Sequence, residues 1–272
     1  MVVFALCAAP MPVSAADVSA WDNDIRSAVR LIGASAINDS GGAVLRAGVE
    51  IKMQPGWKTY WRYPGDSGVP PAFDFAASDN VKAATVLWPA PVRFADGSGD
   101  SIGYKDGVIF PLRVVPLDPG KPVTLRLSLD YAVCETLCVP AKGKAELKLA
   151  HATGSQEALL KSAEARVPRP VSLGEGASLI LRKAWRDASS GKPRVFVEIA
   201  APAGTNVDLF AEGPTSEWAL PLPEPVAGAA AGTRRFAFDL DGLPTGAAAQ
   251  GAVLKLTATS AQEAIEAVFR LD

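Results

Sequence analysis

Histidine is nearly absent: the 272-residue chain has one, His151, beside three cysteines and three methionines. A single imidazole cannot build a histidine-rich metal cage, and Ser-His-Asp or Cys-His catalysis would rest wholly on His151, which reads as solvent-facing. Long apolar runs are missing as well. After the first sixteen residues none reaches the ~18 positions of a membrane helix, so stable membrane insertion is not expected. An excess of one charge sign is also lacking. With 27 basic and 29 acidic side chains, a formal net charge of −2 and no basic stripe, nucleic acid is not an expected partner.

What is present starts with an uncharged segment, Met1 to Ala16, apolar through Val2, Val3, Phe4, Ala5 and Leu6 and ending on the small residues Ser14, Ala15 and Ala16. This is the pattern of a secretory signal cleaved after Ala15 or Ala16, without the usual basic start. Cys7 lies inside it and is discarded with it. Cys134 and Cys138 remain, in an exported chain where a cysteine pair is oxidised unless something reduces it.

Those two cysteines join two strand-like runs. Val123, Leu125, Leu127, Leu129, Tyr131 and Val133 alternate with polar or small residues, which is the period of a half-buried strand. Cys134 falls on the polar side of that alternation. Ala145, Leu147 and Leu149 alternate with Lys144, Glu146 and Lys148, so the pair reads as a hairpin with the cysteines near its turn. Across such a turn Cα atoms can approach ~5.5 Å, and a disulfide can close. Its value as a staple is small: a five-residue ring contributes ~2 kcal/mol by the loop-entropy estimate, against ~4.7 kcal/mol for a hundred-residue loop. Two close thiols on an exposed turn suit cycling between dithiol and disulfide. Both readings stay open from spacing alone.

The rest of the chain is strand after strand, with half-buried runs at Leu45 to Met53, Val81 to Trp88 and Val108 to Leu117. Residues 55–71 read as a loop in which Trp57, Tyr60, Trp61 and Tyr63 lie among Pro and Gly. They either cover one end of a β-sandwich or present a docking surface, for which Trp57, Tyr60 and Trp61 are the candidates. A helix is expected at Ser155 to Arg166, with Leu159, Leu160, Ala163 and Val167 as its apolar stripe. A linker follows at 167–176. Six further strand-like runs between Ser178 and Leu271 then predict a second β-sandwich over 177–272, with Pro221 to Gly232 as a long surface loop.

Several separated motifs, Trp57 to Pro71, Trp88-Pro89-Ala90-Pro91-Val92-Arg93-Phe94, Gly103-Tyr104 and Tyr131 to Pro140, occur in the order in which they stand in a known family. Together they resemble the amino-terminal periplasmic domain of the thiol:disulfide interchange protein DsbD and its ScsB relatives, named for suppression of copper sensitivity. The resemblance covers roughly residues 25 to 150. It implies an all-β protein whose first domain, 17–166, is an immunoglobulin-like β-sandwich with a redox-active cysteine pair. It also implies a periplasmic location and electron transfer without a cofactor, between thioredoxin-fold proteins and a membrane electron donor that here is a separate protein. By the same resemblance a cap loop lies over the cysteines at 94–101, with Phe94, Asp96, Tyr104 and Glu135 as supporting residues. DsbD has five residues between its cysteines, and this chain has three. The resemblance, together with the exposure expected of Cys138 just before Val139-Pro140, makes Cys138 the sulfur that meets a partner and Cys134 the resolving thiol. A second reading is copper binding or copper tolerance through the same cysteines, with Met53 or His151 completing a Cu(I) site.

Overall fold

A computed structural model describes residues 17–39, 42–65, 67–96, 99–149, 155–189 and 191–272. The expected signal segment, Cys7 and His151 lie outside the described residues.

Period-2 patterning dominates, and the regular structure of the described residues is almost entirely strand. The first eleven strands are β1 (Asp22–Asn23), β2 (Ser27–Asp39), β3 (Gly42–Met53), β4 (Lys58–Gly65), β5 (Ala72–Asp74) and β6 (Val81–Val86), then β7 (Val92–Asp96), β8 (Gly99–Lys105), β9 (Gly107–Pro116), β10 (Val123–Cys134) and β11 (Cys138–Leu149). They form two sheets, one ordered β1-β2-β3-β9-β6 and the other β11-β10-β4-β8-β7, with β5 on the edge of β10. The inward residues of both sheets, Val29, Leu31, Val49 and Ile51 on one and Val123, Leu125, Leu129 and Val133 on the other, pack into one buried core. The fold is thus an immunoglobulin-like β-sandwich.

One helix, α1 (Glu157–Ala165), caps the first sheet. Leu160 packs on Ile32 and Ala34. Beneath it Arg46, 5% exposed, bonds Glu157 at 2.5 Å and Glu164 at 2.6 Å, while Arg113 adds a second bond to Glu164 at 2.6 Å. A cation this deep is tolerable because carboxylates from the helix pair with it. Of the expected apolar stripe, Leu160 and Ala163 are buried, whereas Leu159 points outward.

Eight more strands follow: β12 (Arg169–Pro170), β13 (Ile180–Asp187), β14 (Arg194–Ala200), β15 (Asp208–Glu212), β16 (Glu224–Val226), β17 (Thr233–Asp239), β18 (Val253–Thr259) and β19 (Ala264–Arg270). They make two four-stranded sheets, β12-β19-β18-β15 and β13-β14-β17-β16, and so a second, smaller sandwich. Two expected irregular stretches carry strands. The 167–176 segment contains β12, which pairs in parallel with β19, and the 221–232 segment contains β16, paired with β17. Leu220 and Leu222, at 4% and 8% exposure, anchor the approach to β16, which composition rich in Pro and Gly had concealed.

The segment 55–71 is likewise not a loop throughout. Lys58–Gly65 is β4, between β10 and β8 in the second sheet, and five of its eight residues are buried. Its aromatics were read as a possible docking surface. Trp57, just before that strand, and Tyr60 and Trp61 within it are instead 8%, 1% and 0% exposed, because the strand lies in mid-sheet with packing against both of its faces.

Candidate functional site

The hairpin β10–β11 is in continuous register from Val123↔Leu149 to Cys134↔Cys138. That register alone sets the two cysteines opposite each other, Cα to Cα 4.1 Å, and they are joined as a disulfide. Residues 135–137 close the turn, and all three are exposed. Cys138 is exposed too. Cys134 is 1% exposed, contrary to its polar phase in the sequence pattern, because Tyr60 of β4 lies over it and over Ala132 in a small buried cluster. The alternation predicted which face Cys134 occupies but not that this face is covered.

Tyr60 reaches both sulfurs. Its hydroxyl lies 2.8 Å from Cys134 Sγ and 3.0 Å from Cys138 Sγ. A disulfide sulfur accepts weakly, but a thiolate accepts strongly, so this hydroxyl is placed to stabilise the reduced, ionised pair. The ring is held from the outside by Gly68, where an added Cβ would come within 2.4 Å of the ring carbon Cδ1. Gly68 has φ +137°, a conformation that also favours glycine.

Lys58, two residues before Tyr60 on the same face, is the register partner of Cys134. It is 6% exposed, and its Nζ lies 4.7 Å from the centre of the Phe94 ring. Lys105 Nζ approaches the same ring at 5.6 Å. Phe94 is 5% exposed and sits on β7, paired through Ser101 with β8, so the expected cap loop is a β-hairpin whose tip, 97–98, lies outside the described residues. The Asp96 side chain is also outside them. Tyr104 is not at the sulfurs. Its hydroxyl donates to the Pro89 carbonyl at 2.9 Å, its ring meets Phe110 edge-on at 5.3 Å, and burial pushes its hydroxyl pKa well up. Glu135 is exposed in the turn, and Gly56 lies beside its carboxylate.

Met53 is buried at 4% in the main core and His151 lies outside the described residues. Sequence reasoning had valued Tyr60 as a docking aromatic and had passed over Lys58. The signal that joins them to the cysteines is their shared face on β4, invisible while 55–71 reads as a loop.

A buried cysteine and an exposed cysteine, disulfide-bonded at a hairpin end under a tyrosine hydroxyl, define a β-sandwich module of the thiol–disulfide exchange class. Residues 34–150 match the family described as "Thiol:disulfide interchange protein DsbD, N-terminal". Among solved structures the chain is similar to the N-terminal periplasmic domain of ScsB from Proteus mirabilis. That likeness has a TM-score of 0.72 and 20% identity, and it spans 94% of this chain and 98% of the other, so the fold of both sandwiches is shared. No curated protein sequence matches the chain. Among the described residues no helix is long and apolar enough to cross a membrane.

Proposed function

We propose that this chain is an exported, periplasmic thiol–disulfide exchange protein that passes two electrons between protein partners through Cys134 and Cys138. The observation that carries the reading is the asymmetry of the pair: an exposed Cys138 next to a Cys134 buried under Tyr60. In the reduced protein the Cys138 thiolate attacks one sulfur of a partner disulfide, forming a mixed disulfide and releasing the partner's other sulfur as a thiolate. The Cys134 thiolate then attacks Cys138 Sγ. This closes the disulfide seen here, releases the second partner thiolate, and leaves the partner a dithiol after proton uptake. Two electrons have moved to the partner, and no cofactor takes part.

The partners that fit are thioredoxin-fold proteins of the periplasm on the oxidising side and a membrane electron donor that returns the two electrons. The exposed Leu137 and Val139, at 76% and 43%, flank Cys138 and offer such partners an apolar contact around the reacting sulfur. Phe94, whose ring lies 4.7 Å from the Lys58 ammonium, is the residue assigned in this reading to shield the pair from small oxidants.

Free-thiol titration of the protein against a glutathione redox series tests the reading. A midpoint within the glutathione range is expected. A disulfide that resists reduction throughout the series would make it an inert staple, and a midpoint moved by Cu(I) would favour the copper reading.

A further inference from the structure

Resting on that exchange reading, we propose that the second sandwich sets the redox balance of the pair by holding β4, with Arg62 as the positioning residue acting through Tyr60. The strand itself is poorly held just where the site needs it. β4 keeps register with β8 through Tyr60↔Gly103, then loses it until Gly65↔Ser101, and its register with β10 is limited to Lys58↔Cys134. Residues 61–64 thus leave the ladder immediately after the tyrosine that touches the sulfurs. A bulge disrupts the ladder and bends its strand, so the place of Tyr60, the last ladder residue, depends on what holds the residues that follow it.

The second sandwich supplies that restraint at three successive residues. The Trp61 ring packs 5.7 Å from Phe210. The Arg62 guanidinium lies 4.4 Å over the Trp61 ring and donates to both oxygens of Glu212, at 2.8 and 2.7 Å, and to Glu266 at 2.5 Å. The Tyr63 hydroxyl donates to the carbonyls of Trp218 and Leu220, at 2.7 and 3.1 Å. A similar grip holds the other wall of the site. Arg93, next to Phe94, bonds Asp208 at 3.0 Å, Glu224 at 2.6 Å and the Pro223 carbonyl at 2.7 Å.

Arg62 matters most among these because it is forked between two carboxylates from two strands, β15 and β19. A planar guanidinium answers both in one orientation, and removing it leaves two acids facing each other. The grip fixes where Tyr60 stands, and a hydrogen bond to sulfur depends steeply on that geometry.

The test is the equilibrium constant with glutathione, Kox, equal to [oxidised][GSH]²/([reduced][GSSG]), measured on the full chain. Wild type is compared with Arg62→Ala, Arg62→Lys, Tyr60→Phe and the Arg62→Ala/Tyr60→Phe double variant. Losing the hydroxyl withdraws a stabilising bond from the reduced pair, so Tyr60→Phe should raise Kox by about tenfold. Arg62→Ala should raise it severalfold, Arg62→Lys should restore part of the wild-type value, and Arg62→Ala should add nothing in the Tyr60→Phe background. An unchanged Kox in folded Arg62→Ala overturns the proposal, as does a shift that persists at full size without the tyrosine hydroxyl. Should Arg62→Ala not fold, Glu212→Gln and its double with Tyr60→Phe carry the same comparison, with the same overturning outcomes. A wild-type disulfide that glutathione cannot reduce would instead sink the exchange reading, leaving the two failures distinct.

Discussion

Cys134 and Cys138 are register partners with Cα atoms 4.1 Å apart, yet one is 1% exposed and the other open to solvent. On the exchange reading proposed above, a partner is expected to meet the exposed Cys138 rather than the buried Cys134.

That asymmetry predicts which single-cysteine variant traps a partner. Incubated reduced with an oxidised thioredoxin-fold protein, Cys134→Ser should accumulate a covalent complex through Cys138, because the resolving thiol is gone. Cys138→Ser should trap at least tenfold less, since its remaining thiol lies beneath Tyr60. Non-reducing electrophoresis reads the outcome, and preferential trapping by Cys138→Ser would reverse the roles.

Gly68 backs the Tyr60 ring, where a Cβ would stand 2.4 Å from ring carbon Cδ1 and the backbone is at φ +137°. Gly68→Ala should destabilise the protein by about 1–3 kcal/mol, from overpacking and backbone strain together. It should also displace the hydroxyl from the sulfurs and slow reduction of the disulfide by a dithiol. Thermal melts with a reduction time course check this, and a variant with wild-type stability would show that the glycine is incidental.

Phe94 is 5% exposed, with the Lys58 and Lys105 ammonium groups 4.7 and 5.6 Å from its ring centre, and its proposed role as a shield over the cysteine pair has a kinetic signature. Phe94→Ala should speed oxidation of the reduced pair by hydrogen peroxide several-fold, while destabilising the fold by about 3 kcal/mol as large-to-small changes at buried sites do. Stopped-flow thiol loss is the measurement. An unchanged peroxide rate in a folded variant would leave Phe94 with packing alone.

Away from the cysteines, Arg46 ties α1 to the first sheet through Glu157, whose carboxyl its hydrogen bond, with help from Ser35, holds down at about 2, against an ordinary 4.5. A carboxyl lowered on folding stabilises above its unfolded pKa, and the benefit is lost as pH falls through the folded value. The helix clamp should therefore be fully present above about pH 4.5 and lost progressively toward pH 2. Glu157→Gln should cost about 1 kcal/mol at pH 7 and flatten part of the acid decline, which melts from pH 7 to pH 2 would show.

The alternation of Val123 to Val133 with polar neighbours was enough to place the hairpin, its turn and the closure of Cys134 on Cys138, because strand period and register are local properties of the chain. The strand-like runs beyond residue 178 announced the second sandwich in the same way. What alternation cannot carry is what lies over a face. Cys134 and Ala132 read as solvent-side positions and are buried, since the covering Tyr60 comes from a strand about seventy residues away. Trp57, Tyr60 and Trp61 posed the opposite problem. Rigid aromatics suit a docking surface and a buried seam equally well, and only the position of β4 in mid-sheet, against Phe210 of the second sandwich, decided for burial. Arg62 and its two glutamates, separated by 150 and 204 residues, have no local pattern at all. Local order was written in the sequence, and the meeting of the two sandwiches around the active-site strand was settled by long-range packing, where burial and charge pairing depend on partners distant along the chain.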